Sequence, residues 1–588
     1  MFKENKVFKI DNNMFVTFIF ALICLWLLLP VFVSFYCFII GALGNFPAGV
    51  ELTATCHSKV LFFYLNVYRI IGCISVALAF FILVKNLPFL LTKELIKRKP
   101  FIVLFGLLLL WSFISTAYSN HPLTSLLGEE VICDGLFTYF VYAAMLILGS
   151  MMIDSKYRKR IIILFVSVVT YCSIIMCLQS MRIKFIVYCF PTIRSAMFQN
   201  SNYFGYILCM SILALLGLYL YEHNKKIRLI FLLLFIFQTV TLLINDTFGC
   251  FLACCFAIPM SYLYYSRKGK IINKSSLIPL FLFFIISVVY NILFSLNFQT
   301  LLADIFNIAK QSSNSGDAGS GRWKLWLSTT DRIVKRPIFG YGPEGFNGNE
   351  FLPFNGSPHN DILQIAAYLG IPGLIMYIAG FFTLYLYLKD NNSVLSVTTL
   401  ICMGIITANL ASSMFGHPVY TVTPYFWLFT GMALIEKEDS QPLFSLDNKK
   451  VDIKKNAFIV LAIVIYTIFC LFAGVRNYKS DNEGTKEFTD LITMKNAKLT
   501  AQLMIKNGQI KKNIFYWYDA NKYEIISESE KVPAPYGMGT DRVGNGLEEY
   551  KNKYDDVFDY NSSIDYTDKI IRVIVDTDNR IDVKWVKK

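Results

Sequence analysis

The sequence predicts an all-α polytopic membrane protein, and three observations carry that prediction. Hydrophobic residues fill 55% of the 588 positions, while charged residues fill only 16%. A soluble domain cannot hide so much apolar surface, so lipid must solvate part of it. Apolar runs such as residues 14–39 exceed the ~20 residues a helix needs to cross a bilayer. Lysine and arginine, finally, gather on alternate connections between those runs, as the positive-inside rule requires.

About 12–13 transmembrane helices are expected. Thirteen candidate spans lie at about 14–39, 60–84, 101–118, 135–153, 161–179, 203–221, 229–244, 247–265, 276–295, 361–388, 394–412, 419–435 and 457–474. The first follows lysines, as a signal peptide would, but it is long and lacks a small-residue cleavage site, so it reads as a retained helix. The pair flanking Asp246 reads either as two spans or as a re-entrant hairpin. With the N-terminus inside, the inner connections hold 25 basic residues, in segments 3–9, 85–99, 156–160, 225–228, 267–274, 389 and 437–455. The short outer connections hold four: Lys59, Arg182, Lys184 and Arg194. The formal charge of +14 is then a topology signal with contact to anionic membrane lipids, and no nucleic-acid partner is expected.

Two domains are expected: a polytopic membrane domain over 1–474 and a small extracytoplasmic C-terminal domain over 475–588. The second shows strand-like alternation at 503–510, with Asn507-Gly508 as a hairpin turn, and again at 570–586. The cysteines fall mostly inside apolar runs, where they act as small hydrophobes. No CxxC or CxxH spacing suggests a metal, and no Walker loop or dinucleotide fingerprint suggests a nucleotide-driven pump.

Chemistry concentrates in the outer loop at 296–360. Trp323, Leu327, Thr330, Ile333 and Val334 recur at helical spacing, which predicts an amphipathic surface helix. Pro337 and the glycines at 340, 342 and 345 end it in a tight turn. Ser357-Pro358 then suits a helix start, with Ser as N-cap and Pro at the first position. That places His359 and Asn360 in the first turn, where the helix N-terminus attracts phosphate and biases an imidazole toward its neutral, proton-accepting form. An interfacial histidine is more often a polar cap, and Arg322 can equally anchor a surface helix to headgroups. Arg69, inside the second span, is an ionisable group at membrane depth, either functional, paired or snorkelling outward.

These residues carry a resemblance. Arg322 with Trp326, then Pro337-x-x-Gly340-x-Gly342, His359-Asn360 and Gly370-Ile371-Pro372-Gly373, is similar in order and spacing to the signature region of the O-antigen ligase and polymerase superfamily. Arg194 followed by Phe198, Asn200, Asn202 and Gly205 resembles the family's segment leading into a span. Thr247-Phe248-Gly249 resembles its short polar break, and Gly128 with Asp134-Gly135-Leu136 resembles its outer loop, although Ile132 stands where many relatives carry arginine. The resemblance covers roughly residues 60–435.

It implies a GT-C-like membrane glycosyltransferase of the bacterial cytoplasmic membrane, with a cytoplasmic N-terminus and an extracytoplasmic C-terminus. The implied reaction moves a glycan from an undecaprenyl-diphosphate carrier to a glycan or lipid-glycan acceptor at the outer face, without cofactor or metal. Arg194 and Arg322 would clamp the diphosphate. His359 would act as base or orient the acceptor hydroxyl, with Asn360 supporting it. Two other classes compete: a flippase or transporter of lipid-linked glycan, and a membrane-anchored protein binding cell-wall glycan. A transporter should show inverted repeats and buried charges along a path, whereas the polar signature here lies in one outer loop.

Overall fold

The computed structural model describes residues 12–43, 53–86, 99–128, 132–190, 194–198, 200–269, 274–294, 322–345, 357–390 and 395–435, and the strand segments 514–519, 524–527, 569–575 and 581–587. Contacts divide the chain into one unit of residues 1–38 with 61–471 and another of 39–60 with 472–588.

The larger unit is helical. Its described helices are α1 (Asn12–Leu43), α2 (Thr53–Lys85), α3 (Pro100–Ala117), α4 (Pro122–Leu127), α5 (Leu136–Ser150), α6 (Ser155–Ser180), α7 (Lys184–Cys189) and α8 (Ser201–Tyr221), followed by α9 (Lys225–Asn245), α10 (Phe248–Gly269), α11 (Ile278–Phe294), α12 (Arg322–Lys335), α13 (Asp361–Asp390), α14 (Val397–Ser413) and α15 (Thr423–Ala433). Among the described residues eight helices are long and apolar enough to cross a membrane, and three shorter apolar helices accompany them. The protein is a multi-pass membrane protein. The expected span at 457–474 lies outside the described residues. Helices α9 and α10 are each long and apolar enough to cross a membrane, and Asp246 stands in the turn between them. Asp246 makes that turn with a left-handed φ of 62°, a conformation that aspartate tolerates better than most residues.

Helix α8 is the central pillar, with its whole apolar window buried inside the protein. It packs against α9, α10 and α14, while α5 packs against α15 and α13 against α3. Asn200 caps α8, its side chain accepting from the Asn202 amide at 2.8 Å; such a cap contributes about 1 kcal/mol. At the end of α6 nearest its cap Asp154, the Arg158 guanidinium is fully buried. It donates to Ser396 Oγ (3.1 Å), Thr399 Oγ1 (3.4 Å) and the Ile435 carbonyl (3.3 Å). One member of the basic group at 156–160 therefore ties α6, α14 and the end of α15 together and does not meet lipid headgroups.

Helix α13 is broken. Gly370 has φ 69° and ψ −179°, so the expected single span at 361–388 is two helices meeting at a kink. The kink frees carbonyls that have no water to bond within a bilayer. Other elements satisfy them. The Tyr341 and Gly342 amides donate to the Ala367 and Tyr368 carbonyls, both at 2.9 Å, and the Ile371 amide donates to the Pro337 carbonyl at 2.8 Å. From α3, Trp111 Nε1 donates to the Leu369 carbonyl (2.8 Å) and Ser115 Oγ to the Tyr368 carbonyl (2.8 Å). The Pro-x-x-Gly-x-Gly segment is thus a plug seated in the break. A Cβ on Gly370 would lie 2.1 Å from the Ile338 carbonyl oxygen, which explains the glycine.

In the second unit the described strands are β1 (Ile514–Asp519), β2 (Glu524–Ser527), β3 (Lys569–Val575) and β4 (Ile581–Lys587). They form one antiparallel sheet in the order β2-β1-β3-β4. The run expected at 570–586 is divided between β3 and β4. The hairpin expected at Asn507-Gly508 lies outside the described residues.

Candidate active site

The site is built where α12 and the start of α13 meet the turn between α14 and α15. Helix α12 occupies 322–335. Trp326 is half-buried and Thr329 and Ile333 are buried, whereas Leu327, Thr330 and Val334 are exposed. The register is fixed by Trp326, whose indole donates to the Pro358 carbonyl at 2.9 Å. That bond fastens α12 to the peptide just before His359.

The start of α13 also departs from expectation. The cap is Asn360, whose Oδ1 accepts from the Leu363 amide at 3.0 Å and whose carbonyl accepts from Gln364. Its Nδ2 donates to the Met414 carbonyl at 3.0 Å, tying α13 to the end of α14. Ser357 lies three residues earlier, its hydroxyl accepting from the His359 amide (3.2 Å) and donating to Gln364 Oε1 (2.9 Å). His359 therefore precedes the helix and adopts φ 49°, a strained conformation costing on the order of 1–3 kcal/mol.

The strain aims the imidazole at a second histidine that sequence reasoning did not single out. His359 Nδ1 lies 3.2 Å from His417 Nδ1, and His417 Nε2 lies 3.1 Å from the Tyr203 hydroxyl at the start of α8. His417 is buried in the turn between α14 and α15. Burial chiefly, and the Arg322 charge second, pull His359 down to about 4. Burial, His359 and Arg322, in that order, hold His417 well below the usual histidine range. The helix-end charge invoked from the sequence is not among these causes. Arg322 Nη1 approaches within 3.6 Å of the point where a Cβ on Gly249 would stand, and the same Cβ would meet Phe415 at 2.5 Å. Glycine at 249 leaves room for both.

Arg194 belongs to a different set of contacts. Its Nη1 bonds Asp246 Oδ2 at 2.7 Å, and Asn245 Nδ2 donates to its carbonyl at 2.7 Å. Among the described residues, His359, Asn360 and His417 form one cluster on which the Arg322 charge acts, and Arg194 pairs with Asp246 instead. Arg69 is buried in α2, and its charge acts on Cys133, whose thiol burial pushes up to about 12.

Beside His417 lies a cavity of about 400 Å³. Its wall is mainly apolar, with Phe105, Leu108, Phe426 and Trp427 among the lining side chains, and His417, Asp361 and Asn409 supply polar points. Residues 230–378, which hold Arg322, His359, Asn360 and the broken helix, match the O-antigen ligase family. Over this segment the chain is similar to the O-antigen ligase superfamily. Relatives agree: a protein of Rickettsia felis provisionally named a polysaccharide ligase is 28% identical over 138 residues, 20% of this chain and 32% of the relative. Proteins of the same provisional name from Rickettsia typhi and Rickettsia prowazekii are each 24% identical, over 310 and 306 residues. The first covers 49% of this chain and 68% of the relative, the second 48% and 67%. The chain thus spans about a third of the length of the Rickettsia felis relative and about two thirds of the other two. The family segment contains neither Arg194 nor His417.

Proposed function

We propose that this protein transfers a glycan from an undecaprenyl-diphosphate carrier to an acceptor hydroxyl at the outer face of the cytoplasmic membrane, as an O-antigen ligase-like glycosyltransferase. The observation that carries the reading is the neutral, partly buried His359 beside Arg322, inside the segment that matches the family. The names of the relatives favour a ligase over a polymerase.

The donor carries its own leaving group, so the protein has three tasks: hold the diphosphate, exclude water and accept one proton. Arg322 faces the diphosphate, and Arg194 joins it by exchanging Asp246 for a phosphate oxygen. The acceptor oxygen forms its bond to the anomeric carbon while the carbon–oxygen bond to the diphosphate breaks, the electron pair leaving with the diphosphate. His359 Nε2 takes the hydroxyl proton. Asn360 holds His359 in place through its bonds to α13 and α14. The apolar cavity beside His417 has room for part of a lipid chain. The reading places the N-terminus inside and the loop that carries His359 outside.

The test is transfer of carrier-linked glycan in reconstituted membranes. His359→Ala should reduce the rate about 10²–10⁴-fold, the usual contribution of a general base, with protein level and donor binding retained. Wild-type membranes that bind carrier-linked glycan without transferring it would sink the reading.

A further inference from the structure

Both ring nitrogens of His417 are engaged, one by His359 and one by Tyr203, so it has none left to offer a substrate. Its influence must pass through His359. We propose that His417 and Tyr203 form a positioning line behind His359, fixing which of its nitrogens accepts the acceptor's proton and accepting a hydrogen bond from its other nitrogen once the proton is taken. This rests on the reading of His359 as the base.

The geometry limits the protons severely. Two nitrogens facing each other across 3.2 Å share one hydrogen, because two would repel and none would leave paired lone pairs. Two arrangements satisfy that condition. If Tyr203 donates to His417 Nε2, then His417 Nδ1 donates to His359 Nδ1, and His359 Nε2 carries a hydrogen and is no base. If His417 Nε2 donates to the Tyr203 oxygen, then His359 Nδ1 donates to His417 Nδ1, and His359 Nε2 keeps a free lone pair. Among the described residues no hydrogen bond occupies that nitrogen. The second arrangement is the working one, since a base oriented by a third group needs its outer nitrogen bare.

The line also answers a difficulty. Burial and Arg322 make His359 a reluctant base, down to about 4. When Nε2 gains the acceptor's proton, Nδ1–H donates more strongly to the lone pair on His417 Nδ1, so a neutral ring behind His359 stabilises the added charge. The pair then holds one proton more than before, which it returns to the departing diphosphate or to water, and the balance closes.

Substitutions at 417 separate positioning from packing. His417→Leu keeps bulk and loses the acceptor, whereas His417→Asn is smaller but places a carbonyl oxygen where Nδ1 stood. In the full-length protein in reconstituted membranes, Leu should lower kcat about 10–100-fold, the scale of losing an orienting partner behind a working imidazole, with KM little changed. Asn should restore most of the rate, and Tyr203→Phe should fall between. A packing role predicts the reverse order, Leu better than Asn, and that order would overturn the proposal. So would a normal kcat in His417→Leu beside an inactive His359→Ala. A readout independent of activity is nitrogen NMR of the labelled histidines, of which the chain has five. His359 should show hydrogen on Nδ1 only, and should lose that preference in Tyr203→Phe. Should the Leu variant fail to accumulate, the Phe variant carries the test. An even tautomer mixture in the wild type would sink the proposal whatever the transfer assay gives, while a fixed tautomer in a protein that transfers nothing would sink only the functional reading.

Discussion

Arg194 Nη1 and Asp246 Oδ2 bond at 2.7 Å with both side chains partly exposed, 44% and 30%. An ion pair open to water contributes only about 0.2–1 kcal/mol, so a doubly charged diphosphate can displace Asp246. Asp246→Asn should therefore keep transfer within about threefold of normal. Arg194→Ala should lower kcat/KM about 10–100-fold, the scale of losing a hydrogen bond to a charged group, about 1.5–3 kcal/mol. Equal damage from the two variants would make the pair a structural latch.

Arg322→Lys keeps the charge and loses the fork that grips two phosphate oxygens. It should be nearly as inactive as Arg322→Ala when transfer is measured at saturating acceptor. Near-normal transfer with lysine would return Arg322 to headgroup anchoring.

His359, pulled down to about 4, should stay neutral across the physiological range. The rate should be flat from about pH 8 to pH 6, whereas a solvated histidine would titrate near 6.5. The sign for stability follows. Below about pH 6.5 the unfolded chain binds a proton that the folded protein refuses, so the contribution of this group is full above that pH and is lost as pH falls toward 4. Thermal unfolding in detergent as a function of pH would show it.

Gly370→Ala should cost at least 1–3 kcal/mol, roughly the price of a forced backbone conformation, because its Cβ would meet backbone oxygen. Gly106→Ala is the control: nothing lies within 4 Å of its added Cβ, and alanine favours helix by about 1 kcal/mol. Melting temperatures of the two purified variants should move in opposite directions.

The proposed orientation predicts that Met181→Cys, at an exposed site after α6, reacts with an impermeant thiol reagent in intact cells. His223→Cys, in the exposed turn between α8 and α9, should react only after lysis. The reverse pattern would put His359 on the cytoplasmic side.

Eight candidate crossings were legible because length and hydropathy alone mark them. His359 and Arg322 stood out in the sequence because a polar signature interrupts an apolar chain, and the structure sets the Arg322 charge to act on His359. His417 was missed since it stands 58 residues beyond His359, in a turn whose neighbours look like ordinary packing. A faint signal existed: it is one of only five histidines and, like His359, sits at the end of an apolar run beside a proline. The break at Gly370 was hidden because hydropathy does not register a lost hydrogen bond. The rotation of α12 was not legible, because one indole bond to Pro358 fixes it.

The plugged break in α13 also sets a timetable for biosynthesis. Trp111 and the Leu369 carbonyl that it caps are 258 positions apart. At roughly 5–20 residues per second, α3 waits on the order of 10–50 s in the membrane before its partner is made. Throughout that interval its indole lacks the carbonyl that it meets in the folded protein. A ribosome that stalls short of residue 369 thus leaves a chain whose early helices are inserted but cannot lock. Quality-control proteases would meet that chain with the Trp111 side of α3 still uncovered.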